Sequence, residues 1–144
     1  MTSNISDRRS KIPIVEKTTD RIKVIFNDVA IAETTDPVLV LEPGLPAVYY
    51  IPQEDVKQEY LESSDRQTHC SWKGDAEYFH VVVNGKNAPN AAWRYSDPLK
   101  RFQKGRDHIS FYPSKLDGCY VNGKQVTRRD EGKFAGWETE RNTT

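Results

Sequence analysis

Residues 77–85 read EYFHVVVNG, and this stretch decides the fold class. Tyr78, Phe79 and three valines favour a pleated, half-buried surface. Asn84-Gly85 then suits the two positive φ angles of a type I′ turn, so the run is a strand entering a hairpin. A second such pair, Asn122-Gly123, joins Leu116–Val121 to Gln125–Thr127. Upstream, Arg21–Phe26 alternates, with Ile22, Val24 and Phe26 on one face, and Asn27-Asp28 turns it into Val29–Ala32. Val38–Leu41 is a continuous apolar run, expected to be buried on both faces. Tyr49–Ile51 and His108–Tyr112 are further strands, stopped by Pro52 and Pro113. QEDVKQEYL, residues 53–61, places Val56, Tyr60 and Leu61 on one helical stripe, enough for one or two turns. Asp97-Pro98 reads as an N-cap followed by proline at the first helical position, with Gly105 as the stop. The chain is therefore mainly β, with one or two short helices.

The 144 residues allow one domain, expected over 20–128. Residues 1–19 read as a flexible arm whose Ile12–Val15 patch docks on the core, and 129–144 as a mobile tail in which Trp137 is a packing anchor. Lysine plus arginine balances aspartate plus glutamate, 21 against 21. No global field attracts nucleic acid or anionic lipid, and neither is an expected partner. No run approaches the roughly 20 apolar residues of a membrane helix. MTSNISDRRSK at the start lacks the apolar segment of a secretory signal, so cytoplasmic residence is expected. Cys70 and Cys119 form no CxxC, and the three histidines show no HxH or HExxH spacing. The domain is expected to be zinc-free, with no other metal and no cofactor.

Chemistry concentrates between Tyr49 and Pro98, where two of the three tryptophans, Cys70 and an isolated Lys73 fall together. Aromatic rings beside fixed charges and glycines make a polar pocket with apolar walls. Lys73, between Trp72 and Gly74, is placed to bind a carboxylate or phosphate, or to act as a base once desolvated. The simpler role is pairing with Glu42 or Asp55 to orient a loop. Glu42 ends a strand and precedes a Pro-Gly turn, a position for an acid or base, or equally for a structural partner of Lys73. Trp93 and Tyr95, two apart in a strand, share a face. With Tyr50 and Trp72 they suit a flat or cationic ligand, although aromatics more commonly fill cores. Cys70 reads as a packing residue, Asp55 as a cap or ion-pair partner of the short helix, and Arg66 and Arg94 as solvated surface cations.

These motifs resemble a small bacterial and fungal family, the domain of unknown function 427. The match is carried by Leu41-Glu42, Tyr50-Ile-Pro52, Asp55-Val56, Leu61, Thr68, Cys70, Lys73-Gly74, Tyr78, Ala92-Trp93, Tyr95, Asp97-Pro98 and Phe111-Tyr112, over roughly residues 21–127. One departure is Ser71, where the family pattern usually has proline. The resemblance implies a β-tent, two antiparallel sheets leaning together over a cleft. Methionine sulfoxide reductase B and the thalidomide-binding domain of cereblon share that architecture. Several relatives hold zinc through paired CxxC motifs, which this chain lacks. The family also carries a nucleotidyltransferase label, but the sequence has neither a GxxxxGK[ST] loop nor a DxD pair.

The leading expectation is a domain that binds a small molecule between Tyr50, Trp72, Trp93 and Tyr95, with Lys73 and Glu42 fixing its polar groups. The alternative is a cofactor-independent enzyme on the same pocket, of proton-transfer, isomerase or hydrolase type, or one with nucleotidyl-transfer-like activity. A third class is an interaction module that uses the tails.

Overall fold

The computed structural model describes residues 12–127 and 136–138. Its strands are β1 (Ile14–Lys17), β2 (Ile22–Phe26), β3 (Val29–Thr34), β4 (Val38–Leu41), β5 (Val48–Tyr50), β6 (Leu61–Cys70), β7 (Gly74–Val83), β8 (Lys86–Arg94), β9 (Ile109–Phe111), β10 (Gly118–Val121) and β11 (Lys124–Gln125). They form three antiparallel sheets, ordered β1-β4-β5, β11-β10-β2-β3 and β6-β7-β8-β9.

The protein is mainly β, but the expected pair of sheets is corrected to three. The reason lies at the end of β5. Ile51 exchanges both backbone hydrogen bonds with Ile109, each at 2.8 Å, which ties the first sheet to β9. Pro52 has no N–H to extend that ladder, so the junction stays one residue long.

The helical content is also corrected, to four short 3₁₀ segments rather than one or two helices: Gln53–Asp55, Gln58–Tyr60, Lys100–Gly105 and Pro113–Lys115. The stripe read over 53–61 breaks at Val56, which is extended and bridges Ala32. Near Asp97-Pro98 the helical segment starts later than expected. Leu99 is its extended N-cap, and no side chain caps it.

The turn readings hold. Asn27, Asp28, Asn84, Gly85, Asn122 and Gly123 all have positive φ. Val38 and Val40 are fully buried while Leu39 and Leu41 are half-buried, so β4 alternates rather than burying both faces.

β6 was not legible as a strand. Its ten residues, LESSDRQTHC, include no fully buried side chain, because it is the edge of its sheet. Both neighbours of β7 carry a bulge. Ser63 and Gln67 face Phe79 and Glu77, so Ser64–Arg66 on β6 stand opposite Tyr78 alone. Ala88 and Ala92 face Val81 and Phe79, which leaves extra residues at Pro89–Ala91 on β8, with Asn90 at φ 52°. Proline, unable to donate to a ladder, is tolerated at such a bulge.

Burial splits into two cores. The larger packs Ile22, Val24, Phe26, Val81, Val83 and Phe111, among others, around Trp137. Trp137 is fully buried, donates from Nε1 to the Phe111 carbonyl at 3.1 Å and meets Tyr49 edge-on at 5.9 Å. The smaller core is an aromatic layer of Tyr50, Tyr78, Trp93, Tyr95 and Phe102 on Val38 and Val40. The two faces of β8 divide between them: Ala88 and Ala92 face the larger core, Trp93 the aromatic layer.

Of the arm expected over 1–19, residues 1–11 lie outside the described residues, and Ile14–Lys17 is the edge strand β1 on β4. The tail expected over 129–144 lies outside them except for 136–138. Among the described residues no helix is long and apolar enough to cross a membrane.

Candidate functional site

Cys70 and Gly74 close the β6–β7 hairpin, with Ser71, Trp72 and Lys73 in its turn. Gly74 has φ +111°, a conformation that side chains rarely adopt. A Cβ there would also sit 3.4 Å from the Leu99 nitrogen and 3.5 Å from the Asp97 carbonyl oxygen. The close approach that glycine permits is therefore taken by the 97–99 backbone. Leu99 N–H donates to the Lys73 carbonyl at 2.9 Å, so the turn is strapped to the segment that leads into Phe102.

This strap sets Lys73 beside Glu42, at the end of β4. Lys73 Nζ and Glu42 Oε1 are 3.4 Å apart, with side chains 12% and 25% exposed. Trp72 Nε1 donates to the other carboxylate oxygen, Oε2, at 3.2 Å. The ammonium also lies 5.3 Å from the Trp72 ring centroid and 5.6 Å from that of Tyr95. Ring faces attract cations, and more strongly where water is thin. Lys73 thus holds a carboxylate and two rings, but no short hydrogen bond. Trp72 is half-buried: Phe102 meets its ring edge-on at 5.8 Å, and the exposed Arg101 places its guanidinium 5.9 Å from the ring.

Tyr50, Trp93 and Tyr95 form the layer behind this group, with exposures of 1%, 5% and 5%. Trp93 Nε1 donates to the Tyr50 hydroxyl at 3.2 Å. Tyr50 contacts Trp93 edge-on at 6.0 Å and Phe102 at 5.1 Å, and Tyr95 meets Phe102 at 5.3 Å. Burial pushes the Tyr50 phenol far above its ordinary value, offset only in part by the Trp93 bond. Burial does the same to Tyr95, with nearby Lys73 pulling the other way. Both hydroxyls therefore stay neutral across the physiological range.

All six residues singled out in the sequence thus fall in one continuous group: Lys73, Glu42 and Trp72 at its edge, and Tyr50, Trp93 and Tyr95 packed inside. Phe102 and Arg101 were missed. The signal for Phe102 is a lone aromatic in LKRFQKG, which the polar run around it hides. Asp55 does not reach Lys73; its Oδ2 accepts from the Thr34 hydroxyl at 2.7 Å. Arg94 is not a solvated cation but pairs with Glu77 at 2.7 Å. Cys70 is half-buried against the aromatic layer. Among the described residues no group of three or more His, Cys, Asp or Glu is placed to hold a metal ion.

Comparison with curated proteins gives no match. A family model described as a domain of unknown function, DUF427, matches residues 14–122, from the start of β1 to the turn after β10. That span takes in both sides of the Lys73–Glu42 pair and the whole aromatic layer, and the chain belongs to this family.

Proposed function

We propose that this mainly β domain binds a flat, polar small molecule at the Trp72–Lys73–Glu42 edge of the aromatic layer. The observation that carries the reading is the Lys73–Glu42 pair. It is largely withdrawn from water, yet its 3.4 Å separation exceeds the 2.7–2.9 Å of a well-formed charged hydrogen bond. A desolvated ion pair with slack in it can exchange its partner for a ligand at small cost: an acceptor on the ligand takes Lys73, and a donor takes Glu42. Tyr50, Trp93 and Tyr95 then serve as the rigid backing that holds Trp72 and Lys73 in place, while Trp72 supplies the contact face.

A thermal-shift screen against nucleotides, amino acids, carbonyl metabolites and aromatic amines, with and without magnesium, tests this. Ligand at about a hundred times its dissociation constant adds about 2.7 kcal/mol, a shift of several degrees. The expected hit is magnesium-independent and lost in Lys73→Met. A hit that Lys73→Met leaves in place, with any turnover also unchanged, removes the pair from the site. Retained binding with lost turnover would turn the reading into proton transfer by the same two residues.

A further inference from the structure

We propose that Arg66, Lys115, Tyr78 and Tyr112 form a second site, an oxyanion subsite for a phosphate group, at the far end of the aromatic layer from Lys73. Tyr78 lies four residues beyond Gly74 on β7, about 13 Å along the strand. The subsite is independent of the Lys73–Glu42 reading and stands whether or not that edge binds anything.

The two bulges beside β7 build it. On β6, Arg66 occupies the bulge and lays its guanidinium over the Tyr78 ring, 4.9 Å from the centroid. On β8, the Pro89 and Asn90 carbonyls of the bulge accept from Lys115 Nζ at 3.2 and 3.4 Å. Those bonds hold the ammonium 5.1 Å from the Tyr112 ring centroid and leave its third N–H uncommitted. The Ser64 hydroxyl bonds Asn90 Oδ1 across β7, joining the bulges. Tyr112 is fixed by its backbone N–H, which donates to the Ala91 carbonyl at 2.9 Å, and by its ring, 4.6 Å from Trp93. The Tyr78 hydroxyl lies 3.0 Å from Thr68 Oγ1. Bulges that re-aim side chains in this way are concentrated beside binding sites.

Charge distinguishes this cluster. Among the described residues, every ion pair with a carboxylate involves a cation other than Arg66 or Lys115. Two cations close enough to repel one another are thus held beside the two phenols, with no carboxylate partner among the described residues. The phenols register the resulting field. Burial alone would raise the Tyr78 hydroxyl, but bonding to Thr68, Tyr112 and Arg66 and the guanidinium charge pull it below its ordinary value. Burial and then the Tyr78 hydroxyl push Tyr112 upward. Negative charge is therefore favoured at the Tyr78 hydroxyl, beside the Arg66 guanidinium. A tetrahedral dianion answers two cations more fully than a planar monoanion does. The neighbouring Trp93 and Tyr112 faces suit an aromatic group attached to the phosphate.

The test is a titration of the full chain with inorganic phosphate, phenyl phosphate and acetate, followed by amide chemical shifts. Saturable phosphate binding is expected, with shifts centred on 64–68, 78 and 112 and acetate much weaker. Arg66→Gln and Lys115→Gln should each weaken it by about tenfold or more, the loss of one charge-assisted bond, while the exposed Lys57→Gln leaves it unchanged. Tighter binding of phenyl phosphate than of phosphate marks an organic ester as the natural occupant, and equal binding marks the free ion; both support the subsite. Should Lys115→Gln lower the melting temperature, the exposed Arg66 carries the decision alone. Non-saturable shifts, acetate binding as tightly as phosphate, or Lys57→Gln weakening phosphate as much as Arg66→Gln does would overturn the proposal.

Discussion

The two ends of the aromatic layer solve the same problem in opposite ways. At one end Lys73 is nearly buried, laid on two rings and matched by a carboxylate. At the other, Arg66 and Lys115 are likewise laid on rings, yet no carboxylate answers them among the described residues, and Arg66 is exposed. Burial explains the contrast. A cation withdrawn from water without a partner costs several kcal/mol, whereas one that keeps its hydration costs little. The neutralised end is therefore a clasp, which a ligand of the kind proposed would exchange into by replacing one partner of the pair. The uncompensated end is held ready by backbone and bulge, and its missing charge is what a ligand would bring.

The largest effect should come from removing what the two ends share. Trp93 bonds Tyr50 on the Lys73 side and packs against Tyr78 and Tyr112 on the Arg66 side. Truncating a buried tryptophan typically costs about 3–5 kcal/mol. Trp93→Ala should lose that much in denaturant unfolding and perturb both ends together. A variant that disturbed only one would show that the layer is two separate packings rather than one.

A milder change separates the ends. Glu42→Gln leaves Lys73 on its two rings without a carboxylate, and the pair lies between an exposed and a buried ion pair. The expected loss is about 1–2 kcal/mol, above the surface range and below the 3–5 of a buried pair. Arg66→Gln removes no ion pair and should stay within about 0.5 kcal/mol of the parent. Equal losses in chemical denaturation would contradict the division into a clasp and a ready-made anion subsite.

How much of this was legible in the sequence follows from range. The hairpins at 27–28, 84–85 and 122–123 depend on two adjacent residues and positive φ, and those were readable. The clustering of Lys73, Glu42, Tyr50, Trp72, Trp93 and Tyr95 was also readable, because residue types of one kind of chemistry crowd a short span. β6 was not, because an edge strand with no fully buried side chain carries no hydrophobic period. The Arg66 cluster was invisible for a related reason. Arg66, Tyr78, Asn90 and Lys115 come from four separate segments, and the bulges that bring them together arise from a mismatch in register between strands, which no single segment displays.

The smallest effect concerns one proton. Tyr78 titrates below its ordinary value of 10.0 in the folded protein, while Tyr50, Tyr95 and Tyr112 titrate above theirs. A depressed acid adds stability as pH rises through its folded value toward and past its unfolded one. A raised acid is neutral in the fold, so its contribution is complete below 10 and is lost as pH climbs beyond it. Phenolate absorbance followed against pH should therefore show an early step from Tyr78 before alkaline unfolding exposes the buried phenols. In Arg66→Gln the guanidinium no longer favours the phenolate, so the early step should move upward. Lys73→Met, at the other end, should leave that step where it is. If Arg66→Gln left it unmoved instead, the field at this end would come from the Thr68 and Tyr112 hydroxyls, and the contrast between the two ends would be one of hydrogen bonds rather than of charge.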